Sequence, residues 1–252
     1  ELTGGLRPTW DKKTLFLDND GNGTSDVQGK RRFRNLSWLV SANYKFTDDV
    51  MSYVRVSTGY KSGGYRPRTA VLNGFEPEEV ISYEAGLKAD LLDRRLRTNI
   101  ALYRTEYTDL QINQFASGSG GATSVLPHAG QTRVQGIEFE TTAVPVDGLT
   151  LNASFGYTDP KYKSFLFRDP FTNVVTDVAG EARIANVNKW NYTIGAQYAF
   201  PAFSIGELLA QVNYSYRSKI FFHPLDRVNI FNAGVASPGQ GNLTARLTLS
   251  EI

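Results

Sequence analysis

Along 36-LSWLVSANYKF-46 the side chains alternate. Leu36, Trp38, Val40, Ala42, Tyr44 and Phe46 share one parity, and Ser37, Ser41, Asn43 and Lys45 share the other. The same split runs through 81-ISYEAGLKADL-91, 149-LTLNASFGYT-158, 190-WNYTIGAQYAF-200, 208-LLAQVNYSYR-217 and 243-LTARLTLS-250. A period of two is the mark of a β-strand with unlike faces. These runs are about ten residues long, whereas strands of soluble domains run about five or six and a tilted membrane-crossing strand needs about 9–11. The pattern predicts an all-β chain of about ten such strands.

The stretches between the runs sort into two kinds. Short turns fall at 47–49, 92–95, 145–148 and 201–207, and long polar loops near 14–30, 62–79, 116–129, 159–187 and 220–241. Tight turns at one rim and extended loops at the other suit a transmembrane antiparallel β-barrel. Rings collect near strand ends on the apolar parity (Tyr44 and Phe46, Phe155 and Tyr157, Trp190 and Tyr192, Tyr198 and Phe200, Tyr214 and Tyr216), as two girdles at headgroup height would. The other parity carries Lys45, Arg55, Glu84, Lys88, Asp90, Glu138, Glu140, Arg217 and Arg246. A dry core cannot hold so many charges; a watery or plugged bore can.

Composition narrows the classes. Lysine and arginine total 27 against 25 acidic residues, a net charge of +2, so no general nucleic-acid partner is expected. There is no cysteine, which excludes a disulfide framework and a thiolate metal site. No apolar run reaches the length of a spanning helix. Glu1 is not an ordinary start and no signal peptide is visible, so a piece of a longer chain is expected.

Four stretches are similar to the C-terminal barrel of TonB-dependent outer-membrane receptors: 55-RVSTGYKSGGYRPR-68, 75-FEPEEVISYEAGLKADLLDRRLRTNIALYRTEYTDLQ-111, 129-AGQTRVQGIEFETTAVPVDGLTLNASFGYTDPKY-162 and 188-NKWNYTIGAQYAF-200. Their order and spacing span nearly the whole chain, 1–252. The resemblance implies about ten strands of a larger barrel of about 22, the plug domain being absent here. It also implies an active transporter of the bacterial outer membrane. Such a protein captures a scarce solute, a siderophore-iron complex or similar, at its extracellular loops. It imports the solute with energy delivered by TonB and the inner-membrane energising complex through the missing plug. Outer-membrane lipid, lipopolysaccharide and the small-molecule ligand are the other implied partners. A passive porin-like barrel and a calcium-dependent extracellular β-domain binding a partner or glycan are the alternatives. Within the motifs, Gly86 is expected to leave room inside the bore and Gly136 to allow a close backbone approach or bulge. Glu84, Lys88, Glu138 and Glu140 read as inward-facing barrel architecture.

Two candidate sites remain. In 17-LDNDGNGTSD-26, Asp18, Asp20, Asn22, Thr24 and Asp26 offer oxygen ligands at a spacing that suits calcium. The twelfth position is Gly29, not the glutamate of an EF-hand, and the flanks are strands. A calcium loop and a plain polar turn both stay open, and no cofactor is required in either case. At the mouth, Tyr60, Lys61, Tyr65, Arg66, Arg68 and His223 are candidate substrate contacts for an anionic or aromatic ligand, and the first five could equally meet lipopolysaccharide phosphates or simply belong to a solvated loop. No nucleophile motif accompanies His128, His223 or Asp226, so no enzyme is expected.

Overall fold

The structure is a computed structural model of the 252-residue chain. It describes all residues except 19–20, 22–26, 66–73, 112–113, 119–120, 126–127, 169–171, 173, 202–205, 226–235 and 251–252. The described secondary structure is all strand and turn. In chain order the strands are β1 (Leu2–Leu17), β2 (Val27–Lys45), β3 (Val50–Lys61), β4 (Gly64–Tyr65), β5 (Gly74–Phe75), β6 (Glu78–Leu91), β7 (Leu96–Gln111), β8 (Gln114–Gly118) and β9 (Gly121–Val125). They continue with β10 (His128–Val146), β11 (Leu149–Ser164), β12 (Leu166–Arg168), β13 (Val175–Asp177), β14 (Trp190–Ala199), β15 (Glu207–Arg217), β16 (Ile220–Phe221), β17 (Ala236–Ser237) and β18 (Gln240–Ser250).

Ten of them form one sheet in the order β1-β2-β3-β6-β7-β10-β11-β14-β15-β18. Each strand pairs antiparallel with the next long one. The sheet ends at β1 and β18, which do not pair with each other, so the wall is open and forms part of a larger barrel. The other eight strands make four small hairpins, β4–β5, β8–β9, β12–β13 and β16–β17, each inside a long connection. β1 and β2 carry their ladder up to Leu17 and Val27, inside the stretch 14–30 expected to be loop. Both strands keep alternating there, and the loop expectation rested on polarity alone.

Register converts the sequence alternation into two faces. One row runs Leu2, Ala42, Val54, Ala85, Leu102, Ile137, Tyr157 and Trp190 across eight strands. The adjacent row runs Asn43, Tyr53, Gly86, Ala101, Glu138, Gly156, Asn191, Arg217 and Gln240. Among the described residues the apolar face meets no second protein layer: Trp190 is 45% exposed, Ile194 57% and Leu6 75%. An apolar surface spread over a whole sheet is far larger than water tolerates on a monomer, and hydrocarbon is the solvent it fits. No described helix is long and apolar enough to cross a membrane.

At the short-turn rim the turns are bonded to the ends of adjoining strands. Asp90 N–H donates to Asp49 O (2.8 Å), Val144 N–H to Arg95 O (2.7 Å) and Ala199 N–H to Gly148 O (2.8 Å). Arg95 Nη2 donates to Asp147 Oδ1 at 2.8 Å. Gly148, at φ +84°, supplies the left-handed residue of the Asp147–Gly148 turn. On the opposite side β2 and β3 part before their ends. The β2–β3 ladder ends at Leu39 opposite Ser57, and Trp38 N–H donates to Thr58 Oγ1 at 2.8 Å in its place.

Placing a cation on the apolar face near mid-strand costs about 2–4 kcal/mol. Ile194→Arg is therefore expected to lower the protein's urea midpoint and its level in the membrane fraction. Thr193→Arg, one residue away on the polar face, should leave both close to the parent. Equal behaviour of the two in a side-by-side unfolding titration would contradict the assignment of the faces.

Candidate ligand-facing mouth

The polar face carries cross-strand networks. Glu84 accepts from Tyr53 Oη (2.7 Å) and from Arg55 Nη2 (2.5 Å), and Lys88 Nζ lies 5.7 Å from the Tyr53 ring centre. Arg97 grips Asp90 through Nε (2.6 Å) and Nη2 (3.1 Å). Ser82 bonds Thr105 (2.9 Å), Tyr103 bonds Thr158 (3.0 Å) and Gln211 donates to Gln197 (2.7 Å). These contacts fix side chains on a face with no dry core, and Glu84 and Lys88 are part of this architecture. Gly86 sits under the Tyr53 ring, and Gly136 under the Tyr103 hydroxyl and the Tyr157 carbonyl; a Cβ at either would collide. Glu138 and Glu140 share a small concavity with Tyr53, Lys88 and Asn99.

At the long-connection rim the hairpins fold onto one another. Tyr162, Phe165, Val178 and Leu225 form a buried cluster, with Leu110, Phe167, Ala179, Ala182 and Ile184 packed around it. Phe165 is 0% exposed and Leu225 1%. Tyr162 stacks on Phe165 with ring centres 4.7 Å apart. The β11–β14 and β15–β18 connections thus share a small core, tied by Arg183 N–H to Pro224 O (2.9 Å) and Asn186 N–H to Phe221 O (2.8 Å). Asp177 Oδ1 accepts from Phe165 N–H and Ala179 N–H, both at 3.0 Å. These two donors, Ala179 first, hold its carboxyl below the usual carboxylate range. The Phe221 ring has Arg183 Cζ 4.0 Å and Lys219 Nζ 4.6 Å from its centre.

The candidate contacts do not converge on one spot. Tyr60 lines a cleft of about 650 Å³ with Arg7, Asp11, Ser37 and Ser62. Its hydroxyl is buried with no hydrogen-bond partner among the described residues. Lys61 Nζ is 4.0 Å from Glu78. Tyr65 pairs with Gly74 in the β4–β5 hairpin. His223 belongs to the loop core: its Nδ1 is 2.8 Å from Leu225 O and 3.2 Å from Leu225 N. Arg66 and Arg68 lie outside the described residues, as do Asp20, Asn22, Thr24 and Asp26. Asp18 is described, and its Oδ1 accepts from Gly21 N–H at 2.8 Å with Gly21 at φ +72°. Sequence reasoning missed the cluster of Phe165, Val178 and Leu225. Apolar residues within a stretch otherwise read as polar loop were the available signal.

A meandering wall with a hydrocarbon-facing side, a polar side and folded hairpins at one rim defines an outer-membrane β-barrel domain. Residues 1–250 match the family "TonB dependent receptor-like, beta-barrel", and the chain belongs to that family. The pesticin receptor of Yersinia enterocolitica is 33% identical over 145 residues, 56% of this chain and 20% of the relative. The metal-pseudopaline receptor CntO of Pseudomonas aeruginosa is 25% identical over 175 residues, 69% of this chain and 22% of the relative. In fold, the ferric yersiniabactin uptake receptor FyuA from Yersinia pestis superposes with TM-score 0.72 at 19% identity, covering 100% of this chain and 35% of that one. The copper transporter OprC gives 0.68 at 15%, covering 97% and 36%. The chain therefore spans about a fifth of these curated relatives and about a third of these solved structures.

Because the folded Asp177 has a depressed pKa, its contribution to the loop core is complete above the unfolded value near 3.8. It is lost as pH falls through the lower folded value. Limited proteolysis should find the 165–184 segment progressively more sensitive below about pH 4. In Asp177→Asn, which keeps an acceptor that does not titrate, this acid sensitisation should be much weaker.

Proposed function

We propose that this chain forms part of the wall and mouth of an outer-membrane active transporter. The solute is a scarce metal–chelate complex of the siderophore-iron kind, captured at the long-connection rim and imported with TonB-coupled energy. The observation that carries the reading is the loop core around Phe165 and Leu225. It holds two long connections together at one rim, where a passive pore would need only a rim that stays open. The names of similar proteins point the same way: a structural neighbour is a ferric yersiniabactin uptake receptor and a relative is a metal-pseudopaline receptor. Cations at the rim suit an anionic chelate. Lys61 stands beside Tyr60, Arg183 and Lys219 flank Phe221, and the sequence adds Arg66 and Arg68. Tyr60, Lys61, Tyr65, Arg66 and Arg68 are the proposed contacts, while His223 acts by shaping the loop core. Calcium at Asp18, Asp20, Asn22, Thr24 and Asp26 would order the β1–β2 connection and take no part in transport chemistry. In this reading the chain has no catalytic role.

Deletion of the whole receptor gene should abolish uptake of at least one radiolabelled metal–siderophore from a panel. Uptake should fall equally in a strain lacking TonB. Uptake that survives loss of TonB would identify a passive pore instead.

A further inference from the structure

The β1–β2 hairpin carries charge on the wrong face for a bore. By register Trp10 opposes Arg34, Lys12 opposes Arg32 and Thr14 opposes Lys30. All six share the parity of Leu2, Leu6, Leu36 and Val40, the hydrocarbon-facing side. Lys12, Lys30, Arg32 and Arg34 are exposed. They begin one same-face step, about 7 Å along the strand, beyond Trp10 and Leu36, where the apolar band ends. Headgroups sit at that height, and the long-connection rim is the outer one.

Strands further along the sheet provide a comparison. On β7 and β11 the polar residues above the apolar band are of both signs and neutralise one another. Arg104 pairs with Glu106 on the same strand, and Lys161 Nζ is 3.1 Å from Asp159, whose other neighbour is Gln135. On β6, Glu79 accepts from Asn35 at 3.3 Å. The β1–β2 patch has no such balance. Among the described residues none of its four cations forms an ion pair, and Asp11, on the opposite face, is taken by Lys13 at 3.8 Å. Four like charges on one ribbon repel, and an external anion would relieve that repulsion.

We propose that Lys12, Lys30, Arg32 and Arg34 form a docking surface for the phosphorylated headgroups of lipids in the surrounding outer leaflet, with Trp10 seated at the acyl–headgroup boundary. Charge complementarity and height select this occupant. Three of the four guanidinium and ammonium groups lie on β2 at successive same-face positions, so they span about 14 Å, enough to meet more than one phosphate. Arginine adds bidentate bonds to phosphate oxygens. The proposal rests on the outer-membrane reading above.

The test uses the full-length receptor purified in mild detergent. It is titrated with bisphosphorylated lipid A, with the same lipid after removal of both phosphates, and with inorganic phosphate as competitor, and bound lipid is counted by native mass spectrometry. Each Lys or Arg near an anionic surface contributes about fivefold in affinity. Lys12→Gln/Arg32→Gln/Arg34→Gln should therefore weaken binding of the phosphorylated lipid about a hundredfold, and Arg32→Gln alone about fivefold. Arg104→Gln/Lys161→Gln, which removes two paired cations from the same face further along the sheet, should stay within about twofold of the parent. Binding should also fall as salt rises. Heat-modifiable gel migration verifies that each variant is a folded barrel. Equal lipid retention by parent and triple variant would overturn the proposal, as it must if carboxylates on an adjoining strand neutralise the patch. So would equal binding of the dephosphorylated lipid, or displacement by millimolar phosphate, which would mark a site for free anions. Failure of the parent itself to fractionate with the outer membrane would instead overturn the transporter reading.

Discussion

A backbone in hydrocarbon has nowhere to place an unpaired N–H or C=O. That constraint organises the molecule. It demands a continuous ladder, and the ten-stranded meander supplies one from β1 to β18 with each strand bonded to the next. The two end strands are the points where the constraint is unmet within this chain, which is why the wall belongs to a larger closed barrel. The short-turn rim follows from the same demand. Turns such as Asp147–Gly148 close the ladder tightly, and bonds such as Ala199 N–H to Gly148 O tie a turn to the end of an adjoining strand.

Once the ladder is fixed, pleating assigns each side chain to lipid or bore without further choice. The row from Leu2 to Trp190 and the row from Asn43 to Gln240 are adjacent, yet they live in different solvents. The consequences differ in kind. On the lipid side size and apolarity suffice, and Val54, Ala85 and Leu102 share a row with little need for specific fit. On the bore side charges need partners, and the partners come from adjacent strands: Arg55 for Glu84, Arg97 for Asp90. Close approach takes glycine, as at Gly86 beneath Tyr53. Beyond the apolar band the rule loosens. There the outward face is free to carry charge, balanced on β7 and β11 and unbalanced on β1–β2.

The long connections obey ordinary aqueous folding. Phe165, Val178, Leu225 and Tyr162 bury themselves as in a small soluble core, and Asp177 completes the hydrogen bonding of two backbone amides. This core joins the β11–β14 and β15–β18 connections, which are far apart in sequence. The long-connection rim carries hairpins such as β12–β13 and β16–β17 above the ten-stranded wall.

Period-two alternation is a local property, and the sequence alone was therefore sufficient for the existence of the strands, their two faces, the sorting of short and long connections and the motifs shared with the receptor family. It also placed Glu84, Lys88 and Gly86 on the bore side correctly, since parity needs no partner. Register is not local. Which charge meets which, where the β2–β3 ladder gives way to the Thr58 hydroxyl, and that His223 turns into its own backbone depend on pairings across tens of residues. The same is true of the loop core: Phe165 and Leu225 look like isolated apolar residues in polar stretches until folding brings them together. Only the tertiary structure decided these features, because each is a contact between segments whose separation along the chain carries no periodic signal.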